Sequence, residues 1–325
     1  MRLARDWRQV LELIELAFGE DLDAEARRAL HQMRLPPLLG PLIGLADSFS
    51  LPGEGMMPGF VWLEGGRVVG TASARRARAA SDGWLISNVA VHPDWQGRGI
   101  GRALLEAALD FAQDCGGVWV VLQVRDRNVV ARRLYESLGF RPIAEVVRLR
   151  RVAQSTPVEP PVVSGLRPAR WSDGRALFRL ARSSSSHDVL WPETLNRELY
   201  GTGLWSRLAA WASRRRREWW VWETPTIAGT DGVKTATVPG VRAAVWVETD
   251  ARTPWQRLRL LGASPAGEPM LAAQLIAFGL AQLASSPPRP VETEHLRTDA
   301  ATQAALEQAG FAPVYALVHM RLNLK

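Results

Sequence analysis

A chain of 325 residues is too long for one ordinary core and suits two domains of about 150 residues each. Its 47% apolar and 22% charged residues are those of a globular protein, which excludes a disordered chain. Forty Lys and Arg against 33 Asp and Glu give +7, which favours anionic partners without choosing between nucleic acid and a phosphorylated cofactor. No apolar run approaches the roughly 20 residues needed to span a bilayer, and Met1 to Phe18 reads as an amphipathic segment without a signal-peptide pattern. The expected location is therefore the cytoplasm. Cys115 is the only cysteine, so an intrachain disulfide and a multi-cysteine metal site are both excluded. With no His or Lys beside it, Cys115 is expected to be a buried, inert thiol at a helix end.

In chain order, Val10 to Phe18 carries the apolar stripe of a helix, and Phe60 to Glu64 and Val68 to Ala74 are strands joined by Gly65-Gly66. Trp84 to Val91 is a third strand. A glycine-rich turn after Pro93 runs into a helix from about Arg102 to Asp114, and Val118 to Val124 is an apolar run suited to a central strand. Asn128 to Leu138 is a further helix, closed by Gly139 where a left-handed cap is needed. Gln154 to Gly165, with three prolines among small residues, breaks both periodicities and reads as a linker. The expected organisation is therefore a first domain over 1–152, a linker over 153–165 and a second domain over 166–325. Strands alternate with helices, so the class is α/β or α+β, each domain a mixed sheet flanked by helices.

The second half repeats the outline. Arg2-Leu3-Ala4-Arg5 is echoed by Arg167-Pro168-Ala169-Arg170, and Leu138-Gly139-Phe140-Arg141-Pro142 by Ala309-Gly310-Phe311-Ala312-Pro313, at nearly equal separations. Trp219 to Glu223, Val241 to Glu248 and Leu258 to Leu261 read as strands and Met270 to Leu283 as a helix. The Arg214 to Arg217 run is expected on a solvated face between tryptophans that anchor a core. Trp191, Trp205, Trp211, Trp219, Trp220, Trp222, Trp246 and Trp255 are read as packing residues.

The chemistry concentrates at Val89-Ala90-Val91-His92-Pro93-Asp94-Trp95-Gln96-Gly97-Arg98-Gly99-Ile100-Gly101-Arg102, which ends a strand, turns through glycines and starts a helix. Backbone N–H groups at a helix N-terminus lack internal partners, and glycines let a phosphate approach without meeting a Cβ. The spacing fits neither a dinucleotide fingerprint, which wants Gly at 102, nor a P-loop, which wants Gly-Lys-Ser/Thr.

Here the sequence resembles the GNAT superfamily of N-acetyltransferases, whose signature is Gln or Arg, two residues, Gly, one residue, then Gly or Ala. Gln96, Gly99 and Gly101 match it, and the likeness continues through Asn128, Tyr135 and Gly139-Phe140. The resemblance implies that the amides of Gly97, Arg98, Gly99, Ile100, Gly101 and Arg102 hold the pyrophosphate of acetyl-CoA. It also implies that the backbone of Val89, Ala90 and Val91 pairs with the pantetheine arm where two strands splay apart. By the same resemblance Asn128 binds the pantetheine region and Tyr135 assists the departing thiolate. The two are seven residues apart, two helical turns, and so share a face. A phenol near pKa 10 and a thiol near 8.5 make full proton transfer uphill by about 2 kcal/mol, so the hydroxyl mainly stabilises developing charge.

The acceptor would be a primary amine, and freeing it from its ammonium form at pH 7 costs roughly 4.6 kcal/mol. A base or a water chain must help. The strand Trp84 to Val91 offers only Ser87 and Asn88 on this count; Glu64, Asp82 and Asp94 are the nearby carboxylates. His31, His92, His187, His295 and His319 are scattered without ligand spacing, so no metal is expected. No activated nucleophile is suggested, and the amine is expected to attack directly.

In the second half the position of Asn128 falls on Asp299 and that of Tyr135 on Leu306, while Leu261 to Met270 lacks the glycine pattern and places Glu268 near the phosphate position. A second domain that keeps the fold and has lost the cofactor site is expected. The sequence as a whole reads as a tandem acetyltransferase using acetyl-CoA, with no membrane role. The alternatives are an inactive CoA-binding regulator and a nucleic-acid-binding protein using the Arg clusters. The acceptor, the acyl preference and the oligomeric state stay open.

Overall fold

Residues 3–19, 59–77, 82–154, 159–184, 200, 215–223, 240–250, 253–263, 268 and 270–324 are described by a computed structural model of the chain. His31, His187, Trp191, Trp205, Trp211 and Arg214 lie outside the described residues, as does most of the second glycine-poor loop, 264–267. The chain separates into two compact units. The first takes Met1–Gln123, Val130–Arg141 and Met320–Lys325, and the second takes Val124–Val129 and Pro142–His319. The division does not follow chain order: the strand beyond residue 141 counts with the second unit, and the last six residues count with the first. The segment 153–165 falls within the range of the second unit.

In the first unit, α1 (Leu3–Phe18) begins two turns earlier than its apolar stripe. Val10, Leu13 and Ile14 recur at helical spacing and pack against Val68 and Ala90. The strands β1 (Gly59–Glu64), β2 (Arg67–Arg76) and β3 (Gly83–Val91) form an antiparallel meander. Beside them β4 (Trp119–Arg125) runs parallel to β3. The helix α2 (Ile100–Asp114) buries Ile100, Leu104, Leu105, Ala108 and Ala112, one stripe at spacings of three and four. Ile100 and Leu104 cluster with Val69 and Ala72, whereas Val68 and Ala90 cluster with α1. Successive strand residues point to opposite faces, so α1 and α2 cover opposite sides of this sheet. The helix α3 (Val129–Ser137) ends at Gly139, which has φ +92° as the cap requires, and Phe140 behind it is fully buried. Cys115 closes α2 as expected, but it is half-buried and not fully buried, because the chain turns outward at once through Gly116, φ +77°.

The second unit holds β5 (Arg141–Arg151) from Pro142 onward, β6 (Leu166–Pro168), β7 (Arg215–Glu223), β8 (Val241–Asp250), β9 (Gln256–Leu261) and β10 (Val291–Leu296). β6 to β9 pair antiparallel in succession, β10 pairs parallel with β9, and β5 pairs antiparallel with β10. On one face α5 (Leu271–Ala284) and α6 (Ala300–Gln308) bury Leu275, Ile276 and Leu306 against Val245, Val247 and Leu258. On the other, α4 (Gly174–Ser184) packs Leu177 and Ala181 with Tyr200, Trp219 and Trp246. Of the described tryptophans of this half, Trp219, Trp220, Trp222, Trp246 and Trp255 are buried, whereas Trp171 is exposed. Arg216 and Arg217 are exposed, as expected of the arginine run; Arg217 also donates through its Nε to the buried carboxylate of Glu248 directly across β7 and β8, and Arg216 pairs at the surface with Glu218. β11 (Ala312–Asn323) begins in the second unit and ends in the first, where the Leu324 N–H donates to the Val118 carbonyl at 2.8 Å. Among the described residues no helix is long and apolar enough to cross a membrane.

Candidate acetyl-donor site

The site begins where a strand ladder stops. β3 pairs with β4 only at Gly83–Trp119, Trp84–Val120 and Leu85–Val121, yet β3 continues to Val91 and β4 to Arg125. From Ile86 onward the β4-facing edge of β3 therefore leaves the ladder, as the splayed-strand expectation requires. A bulge adds to this. Thr71 lies opposite Ala90 and Ser73 opposite Ser87, so Asn88 and Val89 together face Ala72 alone. Asn88 takes φ +53°, the only positive φ of a non-glycine among the described residues, and the extra residue twists the strand and takes backbone groups out of pairing.

After Val91 the chain makes a short turn, Pro93–Trp95, capped by His92, whose Nδ1 lies 3.3 Å from the Asp94 N–H. The His92 N–H donates to Val69 and its Nε2 lies 3.2 Å from the Arg67 guanidinium, so the exit from β3 is fixed to β2. The Gln96 carboxamide reaches back and donates to the Val91 carbonyl at 3.2 Å. Gln96 thus acts as a tie between loop and strand end. Gly97 and Gly99 follow at φ +74° and +81°, and a Cβ at either would meet nothing within 4 Å. Their glycine is required by backbone conformation, and the space beside them is open to a ligand. Gly99 is the N-cap of α2, offers no side-chain cap, and its carbonyl accepts the first helical bond from Ala103. The N–H groups at this helix start therefore face outward with the positive end of the helix dipole behind them.

The side chains of the loop are committed elsewhere. Arg98 folds over the Trp95 ring at 4.5 Å and donates to the Asp94 carbonyl. Arg102 donates to Ser137 Oγ at 2.5 Å and so ties α2 to the end of α3. A Cβ on Gly101 would stand 3.5 Å from Leu134 and 3.7 Å from Val91, ordinary contacts, so the helix start, α3 and the strand end meet at one place. The arrangement suits an anion held by backbone amides, with Arg98 and Arg102 supplying field and structure.

Tyr135 is 6% exposed, its ring 6.1 Å from that of Phe140, and burial pushes its hydroxyl up to about 12. It stays protonated at any physiological pH. Asn128 is exposed, directly precedes α3, and lies in the stretch that counts with the second unit; its N–H donates to the Arg125 carbonyl. None of the three carboxylates considered as bases stands at the bulge. Glu64 accepts from Trp62 at the β1–β2 turn, Asp82 lies at the far end of β3, and Asp94 projects into solvent. Sequence reasoning missed Thr71 and Ser73, which β2 brings beside Ala90 and Ser87; their alternation in Thr71-Ala72-Ser73 on a strand was the available signal. Among the described residues no group of three or more His, Cys, Asp or Glu side chains is disposed to hold a metal.

The second unit carries the counterpart positions with other chemistry. β9 and β10 pair in parallel only at Val291–Gln256 and Glu292–Arg257 before both continue. Asp299 caps α6 by accepting from the Thr302 N–H, Leu306 is fully buried, and Glu268 is half-buried before α5.

Residues 7–140 match the sequence profile of the Acetyltransferase (GNAT) family. The N-alpha-acetyltransferase RimI of Mycobacterium tuberculosis is 43% identical over 90 residues, 27% of this chain and 55% of that protein. Mycothiol acetyltransferase of Nocardiopsis dassonvillei is 56% identical over 52 residues, 16% of each chain. The matches thus span about half of these relatives or less. Over the whole length, 98% of the chain superimposes on a GCN5-related N-acetyltransferase from Sphaerobacter thermophilus, covering 92% of it with a TM-score of 0.59 at 17% identity. A tandem GNAT protein from the clavulanic acid biosynthesis pathway is covered to 96%, with a TM-score of 0.58 at 16% identity. These two likenesses concern the fold.

Proposed function

We propose, since residues 7–140 match the acetyltransferase (GNAT) family, that the chain transfers an acetyl group from acetyl-CoA to a primary amine, with the cofactor held by residues 1–152. The observation that carries the reading is the loop Gly97 to Gly99. Two left-handed glycines open onto free space at the start of α2, directly after a strand whose ladder has ended. A pyrophosphate suits the first feature and an amide-bearing arm suits the second. Gly97 to Arg102 would bind the pyrophosphate through backbone N–H groups, and Val89 and Ala90 would pair with the pantetheine amides. The Val91 carbonyl already accepts from Gln96. Asn128 would contact the pantetheine from the start of α3.

Acetyl-CoA supplies the activated acyl group. The amine attacks it directly, and Tyr135, protonated throughout, donates a hydrogen bond to the sulfur as charge develops there. Relatives act on different amines, as the names N-alpha-acetyltransferase, ribosomal protein bS18 alanine N-acetyltransferase and L-amino acid N-acyltransferase indicate. Their common element supports a primary amine, with α-amines the first to screen. The second domain, 166–325, is read as a non-catalytic partner, since Leu306 stands at the position of Tyr135. Calorimetry with acetyl-CoA tests the proposal: one site per chain is expected, abolished in Gly99→Glu. An absence of binding by the wild-type chain overturns it.

A further inference from the structure

Among the described residues of the first unit, a single buried hydroxyl has no explanation in the fold. Thr71 is 1% exposed, and its Oγ1 has no hydrogen-bond partner. Nearly all such groups in folded proteins are paired, with protein or with an ordered water. Its place is informative. Thr71 faces Ala90 across the β2–β3 ladder, immediately beside the bulge at Asn88 and Val89, where backbone groups have left the ladder.

The face follows from the packing. Ala90 clusters with α1, whereas Ala72 clusters with α2. Thr71, Ser73 and Ser87 therefore share the face opposite the helix that begins at the anion loop. Ser73 and Ser87 stand directly across from each other and are half-buried, so hydroxyls run from the sealed Thr71 toward solvent. None of these groups is a base. Each can accept one hydrogen bond and donate another, which is what passing a proton along a water chain needs.

We propose that Thr71, Ser73 and Ser87 hold a short chain of water at the bulge that carries the proton away from the acceptor amine. This rests on the acetyltransferase reading above and supplies the route that the missing carboxylate leaves open. As the nitrogen lone pair bonds to the thioester carbon and the carbon–sulfur bond breaks, the proton on nitrogen moves to the nearest water. That water gives one of its own to the next, and a proton emerges to bulk solvent past Ser73 and Ser87. The thiolate takes its proton from solvent, steadied by the Tyr135 hydrogen bond. Thr71 is a positioning residue, acting through the water it binds.

The test uses the full chain, with Thr71→Val to remove the hydroxyl at constant shape and Thr71→Ser to restore it. A high-resolution crystal structure of the wild type is expected to show water within hydrogen-bond distance of Thr71 Oγ1. With acetyl-CoA and alaninamide, Thr71→Val is expected to keep the acetyl-CoA Kd within about twofold while kcat falls about 10- to 100-fold, most steeply at low pH. Thr71→Ser should recover most of the loss. A dry Oγ1 overturns the proposal, and Thr71→Val would then raise Tm by about 2–8 °C by deleting an unpaired group. So does a Thr71→Val chain that matches wild-type kcat at every pH, or a Thr71→Ser chain as slow as Thr71→Val. A wild type that binds no acetyl-CoA brings down the acetyltransferase reading and the relay with it, whereas full binding and turnover with an indifferent Thr71→Val brings down the relay alone.

Discussion

Gly99→Ala isolates what the loop backbone contributes. Gly99 has φ +81°, and holding an L-residue in that region costs about 1–2 kcal/mol. The added methyl itself meets nothing within 4 Å, so no clash contributes. The variant has two ways to respond. It can keep the loop shape and lose about 1–2 kcal/mol of folding stability, or it can relax the loop and pay the same amount on binding, a rise of about 5- to 30-fold in the acetyl-CoA Kd. The two losses, measured by urea unfolding and by calorimetry, should add to about 1–2 kcal/mol whichever way they divide. Gly101→Ala is the internal control. Its Cβ would make ordinary contacts with Leu134 and Val91, and a helical position gains from alanine. It should leave both quantities within about 0.5 kcal/mol or improve stability slightly. If Gly99→Ala and Gly101→Ala behave alike, the argument that backbone conformation builds the anion site is wrong.

Three further outcomes are expected. Tyr135→Phe should lower kcat about 10- to 100-fold with the acetyl-CoA Kd unchanged, and the wild-type pH–rate profile should show no break near 10, since burial holds that hydroxyl near 12. Gln96→Ala should raise the acetyl-CoA Kd about 3- to 10-fold, by cutting the tie from loop to the Val91 carbonyl, without a comparable fall in kcat at saturation. Burial lowers His319 from 6.5 to about 4, against a raising influence from Glu294. The unfolded chain takes up this proton first, so about 3 kcal/mol of stability present above pH 6.5 is lost as pH falls toward 4, and His319→Gln should flatten that stretch of a urea-unfolding pH profile.

The elements were legible because their signals are local. Stripes such as Val10, Leu13 and Ile14, the Gly65-Gly66 turn, and the Gly139 and Gly310 caps with buried Phe140 and Phe311 behind them each need only neighbouring residues to read. The turn ahead of α2 was legible for the same reason, since Gly97 and Gly99 announce left-handed positions. What escaped is non-local. Nothing near Arg102 in sequence says that its guanidinium reaches Ser137 on the next helix. The bulge was hidden because it is a property of two strands, visible only when Thr71 is set against Ala90 and Ser73 against Ser87. The pairing of Arg217 was hidden for a similar reason: its exposure could be read from a run of like charges, but not the Glu248 carboxylate that the next strand brings across from it.

The two units separate what the fold provides from what the sequence adds. Each contains a parallel pair that ladders for only two or three residues and then parts, β3 with β4 in one and β9 with β10 in the other. Parting strands leave polar backbone to be satisfied, so the geometry alone invites a ligand with amides. In the first unit, the residues after that strand are glycines at a helix start, and Arg98 and Arg102 are folded away from the opening. In the second, strand side chains carry charge at this level. Desolvation by the surrounding side chains works against the Glu294 carboxylate, itself partly exposed, but Arg148, followed by Arg259 and Arg257, holds it below the ordinary carboxylate range. Glu268 adds another negative group ahead of α5, where a phosphate would have to approach. The parting of strands thus recurs in both units, and on the proposed reading selectivity for an anion would depend on the few residues that follow it. A cofactor site in the second unit would on that reading demand removal of the Glu268 charge as well as glycines ahead of α5.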